Sequence, residues 1–297
     1  MRQDLELLKG AIEIHVHSGP DLLPRLLDHA ELVRMAKDAG YRAIVLKSQN
    51  MGTADRVPFI RMLVPDIDVF GSVTLNYSVG GINPFAVNAA LGFGAKIVWM
   101  PTIDARHHMS YFGGLGQFGS SIKSERKLPE FYKKAKGLTV LSDDGKLLPE
   151  VRDILDLIAS SKTVLGFGHL SLDEMRALAK GCRDAGVQKM FIDHPDLAFT
   201  KVSLEAQIEL TKWGVKMNYV AAEISPRFYC ISPKEIVNNM RQVGINNSLI
   251  STDVGTPTNP NPIEMMRSYV QILLDEGLTP GEVKTMLHDN PAALLYE

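Results

Sequence analysis

Two histidines two positions apart, His15 and His17, close the run Ile12-Glu13-Ile14-His15-Val16-His17-Ser18. In an extended strand, residues i and i+2 project from the same face. The two imidazoles would stand side by side at a strand's carboxyl end, as a pair gripping one metal ion must. Further on, His169 ends Val164-Leu165-Gly166-Phe167-Gly168, His194 ends Met190-Phe191-Ile192-Asp193, and Asp253 ends Leu249-Ile250-Ser251-Thr252. Any one of these residues alone reads as a core histidine or a turn cap. As a set they fit a divalent metal, Zn²⁺ ahead of Mn²⁺ or Fe²⁺ given the nitrogen-rich donors. Such an ion lowers the pKa of bound water from ~15.7 towards ~7, and Asp253 could orient that water and take its proton.

Lys47 ends another apolar run, Val45-Leu46-Lys47-Ser48-Gln49. Lysine is costly to bury unpaired, so its placement suggests work at the same site. It could hold a substrate carboxylate or polarise a carbonyl, and anion binding is the preferred reading. Asn76, Arg106, His107, His108 and Arg227 are weaker candidates for substrate contact, and Glu223 lies just past the seventh predicted strand. For each of these a structural role competes. His29 and His288 fall in helical patterns and are not expected to be ligands.

The elements that must position these groups alternate along the chain. Predicted strands run over 11–17, 43–47, 69–76, 96–102, 163–169, 189–194, 215–220 and 248–253. Most are separated by roughly 25 to 30 residues, the length of a β/α unit. Helix starts are marked by Ser171-Leu172-Asp173-Glu174, Ser232-Pro233-Lys234-Glu235, Asn261-Pro262-Ile263-Glu264 and Thr279-Pro280-Gly281-Glu282, and helix ends by Gly40, Gly186, Gly244 and Gly277. Eight units predict a single (β/α)₈ TIM barrel spanning residues 1–297. An open doubly wound sheet is the rival. It would spread ligands from strands one, five, six and eight over tens of ångströms at ~4.8 Å per strand. The repeat breaks after strand four, where an insertion over about 104–150 carries His107, His108, a glycine-rich stretch and a charged segment from Lys123 to Lys136. Within it, Thr139-Val140-Leu141 and Lys146-Leu147-Leu148 read as a hairpin around Asp144-Gly145. The insertion is either a lid or substrate wall, or a surface excursion or subunit contact.

Composition excludes other classes. Of 297 residues, 45% are hydrophobic and 22% charged, and a net charge of −2 gives no reason to expect nucleic acid or an anionic membrane as partner. No stretch approaches the ~20 apolar residues of a membrane helix. Met1 to Gly10 has no apolar core fit for a signal peptide. The two cysteines, Cys182 and Cys230, form no Cys-x-x-Cys pair. A cytoplasmic protein acting on a small molecule, with self-association into a homo-oligomer as an option, is the expectation.

On these residues the chain resembles the amidohydrolase superfamily: His15-Val16-His17 at strand one, His169 at strand five, His194 at strand six and Asp253 at strand eight. The ending Met286-Leu287-His288-Asp289-Asn290-Pro291-Ala292 is similar to that superfamily's final helices. The resemblance implies one or two divalent metals, commonly zinc, with the strand-eight aspartate helping to activate a hydroxide. Two-metal members commonly place a carbamylated lysine or a glutamate at the end of strand four. Here that strand reads Val98-Trp99-Met100-Pro101-Thr102-Ile103-Asp104, with neither residue in place, so one metal is at least as well supported as two, and the resemblance leaves a carbamylated Lys47 on strand two as an unusual bridge, second to anion binding. Barrels of the polymerase-and-histidinol-phosphatase type rank lower, because they need more histidines and carboxylates than this chain supplies. The expected activity is hydrolysis of a small, carboxylate-bearing amide, lactone or ester, with Asp253 and Lys47 as catalytic residues. A decarboxylase or hydratase on the same barrel is the first alternative, and a non-catalytic ligand-binding protein with a vestigial metal site the second.

Overall fold

Eight buried apolar runs form β1 (Ile12–His17), β2 (Ala43–Lys47), β3 (Asp68–Thr74), β4 (Ala95–Trp99), β5 (Val164–Gly166), β6 (Met190–Asp193), β7 (Val215–Val220) and β8 (Ser248–Ser251). In this computed structural model, which describes residues 2–118 and 129–297, they make one eight-stranded sheet in the order of the sequence, and each successive pair is parallel. Parallel neighbours require crossovers, and helices supply them. His29–Asp38, Val57–Leu63, Pro84–Gly92, Pro149–Ser161, Leu172–Ala185, Leu204–Thr211, Pro233–Val243 and Pro262–Asp275 follow the eight strands in turn. The architecture is the (β/α)₈ barrel that the spacing predicts. Every capping motif read from the sequence forms: Ser171, Ser232, Asn261 and Thr279 each accept the backbone N–H three residues on.

The first and last strands meet through two backbone hydrogen bonds of 2.9 Å, His17 N–H to Val254 C=O and Asp253 N–H to His15 C=O. Gly255 makes this closure sterically possible. Its φ of 145° and a Cβ that would lie 1.9 Å from the His17 carbonyl oxygen admit only glycine.

Strand parity decides what enters the barrel. Ile12, Ile14, Val45, Ile97, Trp99, Phe191 and Leu249 fill the interior, floored by Leu294 and Leu295. Val16, Leu46, Val98, Leu165 and Ile192 face the surrounding helices. By strict alternation His15 and His17 would face outward, opposite Ile12 and Ile14. A bulge prevents this: Glu13 pairs with Ile44 but Val16 with Leu46, so β1 carries one extra residue. That residue reverses the parity and turns both histidines inward.

Between β4 and β5 the described residues include a helix at Arg106–Phe112 and another at Glu130–Lys134. The predicted hairpin is smaller than expected. Only Leu141 and Leu147 form a bridge, with Ser142 N–H bonded to Lys146 C=O and Leu148 N–H to Val140 C=O. It packs outside the barrel, where Thr139 Oγ1 and Val140 N–H reach Glu174. Part of the charged segment from Lys123 lies outside the described residues. Among the described residues, no helix is long and apolar enough to cross a membrane.

Candidate metal centre

The strand ends bring His15, His17 and Asp253 together. Asp253 Oδ1 lies 3.0 Å from His15 Nε2 and 3.1 Å from His17 Nε2. Among the described residues this trio is the group with metal-ligand spacing, its ligand atoms all within 4.8 Å of one another. His194 and His169 stand beside it, with ring centroids 5.9 Å apart for His15–His194 and 5.1 Å for His194–His169. Two of the strand-end residues adopt left-handed backbone, His194 at φ 39° and Asp253 at φ 50°. Such conformations cost about 1–3 kcal/mol each outside glycine and concentrate at functional sites.

The donor set fits a divalent ion. His15 Nδ1 is 2.7 Å from Asp193 Oδ1, so in the neutral ring Nδ1–H points at the carboxylate and Nε2 keeps its lone pair for the centre. Asp193 is held in turn by Trp99 Nε1–H at 2.7 Å and Asn218 Nδ2–H at 2.8 Å. His17 Nδ1 is a buried atom with no hydrogen-bond partner among the described residues. His108 Nε2–H donates to the Gln117 carbonyl at 2.8 Å, which leaves His108 Nδ1 as an acceptor for His169 Nδ1–H, 2.9 Å away. His169 Nε2 therefore also retains its lone pair.

Ligation requires neutral imidazoles, and the surroundings of three of the four histidines favour that state. Burial, helped by Arg25, pushes His17 down to about 3, and burial holds His194 at about 4 and His169 well below its usual value. His15 behaves differently. Burial lowers it, but the Asp193 and Asp253 carboxylates outweigh burial and raise it to about 9. Burial would raise Asp253, yet His15 and His17 hold it well below the ordinary carboxylate range.

Lys47 is buried with Nζ 2.7 Å from His15 Nε2 and 4.5 Å from the centroid of the Trp99 ring. Burial lowers its pKa, opposed by Asp193 and Asp253. It stands among the ligands, and it is not part of the pocket wall above them. Asn76 does not reach the pocket either. It is fully buried and ties Gln49, Thr102 and Asp104 together. Arg106 and His107 line a different groove with Ser110 and Asp143. Glu223 is buried behind the site, accepting from the Asp196 and Val220 N–H groups. His288 bonds the Leu7 carbonyl and His29 bonds Ser18 and Arg56, away from the cluster.

Arg227 does line the pocket over His15, His17, His169 and Asp253, together with Arg25, Phe118 and Phe199. Sequence reasoning missed Asp193, Arg25, Phe118 and Phe199. Asp193 had a signal: a carboxylate two positions after Phe191 must share its inward face.

This architecture is a (β/α)₈ barrel with the candidate ligands gathered at the carboxyl ends of its strands. The chain belongs to the family of unknown function DUF6282, whose sequence model matches residues 10–218. No curated protein sequence matches it. Among solved structures it is similar to an amidohydrolase from Pseudomonas aeruginosa, at 12% identity over 98% of each chain with a TM-score of 0.63. It is also similar to the organophosphorus hydrolase from Deinococcus radiodurans, at 13% identity over 97% of this chain and 93% of that one, TM-score 0.57. The phosphotriesterase homology protein from Escherichia coli matches at 12% identity over 96% and 99%, TM-score 0.55. At these identities the likeness is one of fold.

Proposed function

We propose that the protein is a metal-dependent hydrolase of the amidohydrolase type, acting on a small amide, lactone or ester. The observation that carries this reading is the convergence of His15, His17 and Asp253 within 4.8 Å at the floor of a pocket. His169 and His194, both neutral, complete the donor set. The names of the hydrolases that share the fold support the same class.

His15, His17, His169, His194 and Asp253 would hold the ion, with Zn²⁺ favoured by four nitrogen donors. When bound, a divalent metal lowers the pKa of water from ~15.7 towards ~7 and so supplies a nucleophile at neutral pH. Asp253 takes the proton from the attacking water and returns it to the leaving oxygen or nitrogen. Its side chain is 15% exposed, against 1% for His15, so it is the member of the trio that opens most to the pocket. Asp193 fixes the orientation of His15, and Lys47 balances the buried charge of Asp193 and Asp253.

The test measures metal content and turnover of a panel of small esters, lactones and amides. His15→Ala should lose both, and Asp253→Asn should lose turnover while folding normally. Incorporation of labelled water oxygen into the product separates hydrolysis from carbon–carbon cleavage. Full activity in both variants would overturn the mechanism.

A further inference from the structure

Beside the ligand cluster, the pocket holds one guanidinium with no carboxylate partner among the described residues. Arg227 follows β7, and its Nη1 donates to Thr256 Oγ1 and Thr258 Oγ1, both at 2.7 Å. These bonds pin the group against the loop after β8. Its Nε is buried and has no hydrogen-bond partner among the described residues. Nε is shut off from solvent and Nη1 is engaged by the two threonines, which leaves Nη2 to meet a ligand in the pocket that Arg227 lines. A guanidinium N–H bonds a carboxylate more strongly than it bonds a neutral acceptor.

The second arginine of the pocket is different. Arg25 gives Nε and Nη2 to Asp21 at 3.1 and 2.7 Å, and both side chains are nearly inaccessible to solvent. That pair is self-neutralising and leaves Arg227 as the pocket guanidinium free to meet an anion among the described residues. Much of the remaining wall is apolar, with Leu23, Phe118, Leu197, Phe199 and Phe228. Phe199 runs this wall up to the ligands, its ring centroid 4.8 Å from His169 and 5.4 Å from His194.

Building on the hydrolase reading, we infer that the substrate is the ester, lactone or amide of an apolar, preferably aromatic, acid that keeps one free carboxylate. Arg227 takes that carboxylate, and Phe118 and Phe199 flank the body while the scissile carbonyl lies over His15, His17 and Asp253. A polar substrate such as a sugar would leave the phenyl wall unused, and an uncharged one would leave the charge of Arg227 unmatched.

The test is calorimetric titration with benzoate, its uncharged counterpart benzamide, and acetate. Each is run on zinc-loaded protein and on protein stripped with chelator, because carboxylates also bind metal directly. Benzoate should bind about tenfold or more tighter than benzamide, the range of a charge-assisted hydrogen bond, in both forms. Arg227→Met should erase that preference and Arg227→Lys should keep only part of it. Phe199→Ala should weaken benzoate and leave acetate unchanged, an arm that stands if the arginine variants fail to fold. Equal binding of benzoate and benzamide by the stripped wild-type protein overturns the inference, as does a benzoate preference that survives Arg227→Met. An Arg227-dependent preference in a protein that hydrolyses nothing would instead retain the anion site and reject the hydrolase.

Discussion

The Glu13 carboxylate accepts the His15 backbone N–H at 3.0 Å, inside the bulge that turns His15 and His17 into the barrel. The same carboxylate accepts Thr252 N–H at 3.2 Å, so one buried side chain serves both edges of the seam between β1 and β8. Glu13→Ala would leave two buried N–H groups without acceptors. A loss of about 2–4 kcal/mol of stability is expected, at about 1–2 per group. Because the bulge sets the parity of both histidines, zinc content should fall with it. Urea unfolding and metal analysis of the purified variant check both. A variant with wild-type zinc content would show that the bulge holds without Glu13.

How far the fold and site were legible follows from where the signals lie. Period-2 apolar runs and capping residues are local, so the eight β/α units and the helix starts at Ser171, Ser232, Asn261 and Thr279 were readable. The strand-end positions of His169, His194 and Asp253 came from the same runs. His15 and His17 were singled out for the right spacing, yet that spacing alone puts them opposite Ile12 and Ile14. Only the bulge, a property of the pairing with β2, brings them inside. The partners of the ligands were harder still. His108 sits on a helix in the insertion, 61 residues from the His169 it bonds, and no local pattern encodes such a meeting. The hairpin around Gly145 was visible as a turn, but its docking on Glu174 rather than over the pocket depends on packing between distant elements.

His108 should matter through His169. The chain from Gln117 C=O through His108 to His169 fixes which nitrogen of His169 faces the ligand cluster. Partners behind a ligating histidine typically contribute 10- to 100-fold in metal affinity. His108→Phe keeps an aromatic ring against Phe112 and Phe118 but removes the acceptor. Zinc affinity measured by chelator competition should drop by about tenfold or more. Unchanged affinity would make His108 a packing residue only.

Gly255 is a steric requirement of the closed ring. A methyl group there would lie 1.9 Å from the His17 carbonyl oxygen and 2.7 Å from its carbon. Neither neighbour can yield, because both are backbone. The φ of 145° adds strain for any side chain. Gly255→Ala is expected to lower the unfolding free energy, measured by urea titration, by about 3 kcal/mol or more, or to prevent soluble expression. Folding with near wild-type stability would mean that the seam relaxes more easily than its contacts imply.

His29 couples the loop after β1 to pH without touching the ligands. Its Nε2 accepts from Arg56 Nη1 at 3.0 Å, and since a guanidinium can only donate, Nδ1 must carry the proton that goes to Ser18 Oγ at 2.7 Å. Protonating Nε2 would break the first bond and set two cations face to face. Burial and then Arg56 push its pKa down to about 4 from the usual 6.5, against the pull of Asp21 and Asp28. The unfolded chain therefore binds a proton near pH 6.5 that the folded protein refuses until about pH 4. Where the unfolded state binds more protons, stability rises with pH, so this contribution is complete above 6.5 and is lost as pH falls through that window. By pH 5 the loss reaches about 2 kcal/mol. His29→Gln has no titrating group, so the wild type should lose about 2 kcal/mol more than the variant between pH 7.5 and pH 5. Urea midpoints at the two pH values measure it. Parallel curves would mean that His29 takes up its proton at the same pH folded as unfolded, so that the Arg56 contact does not hold it neutral.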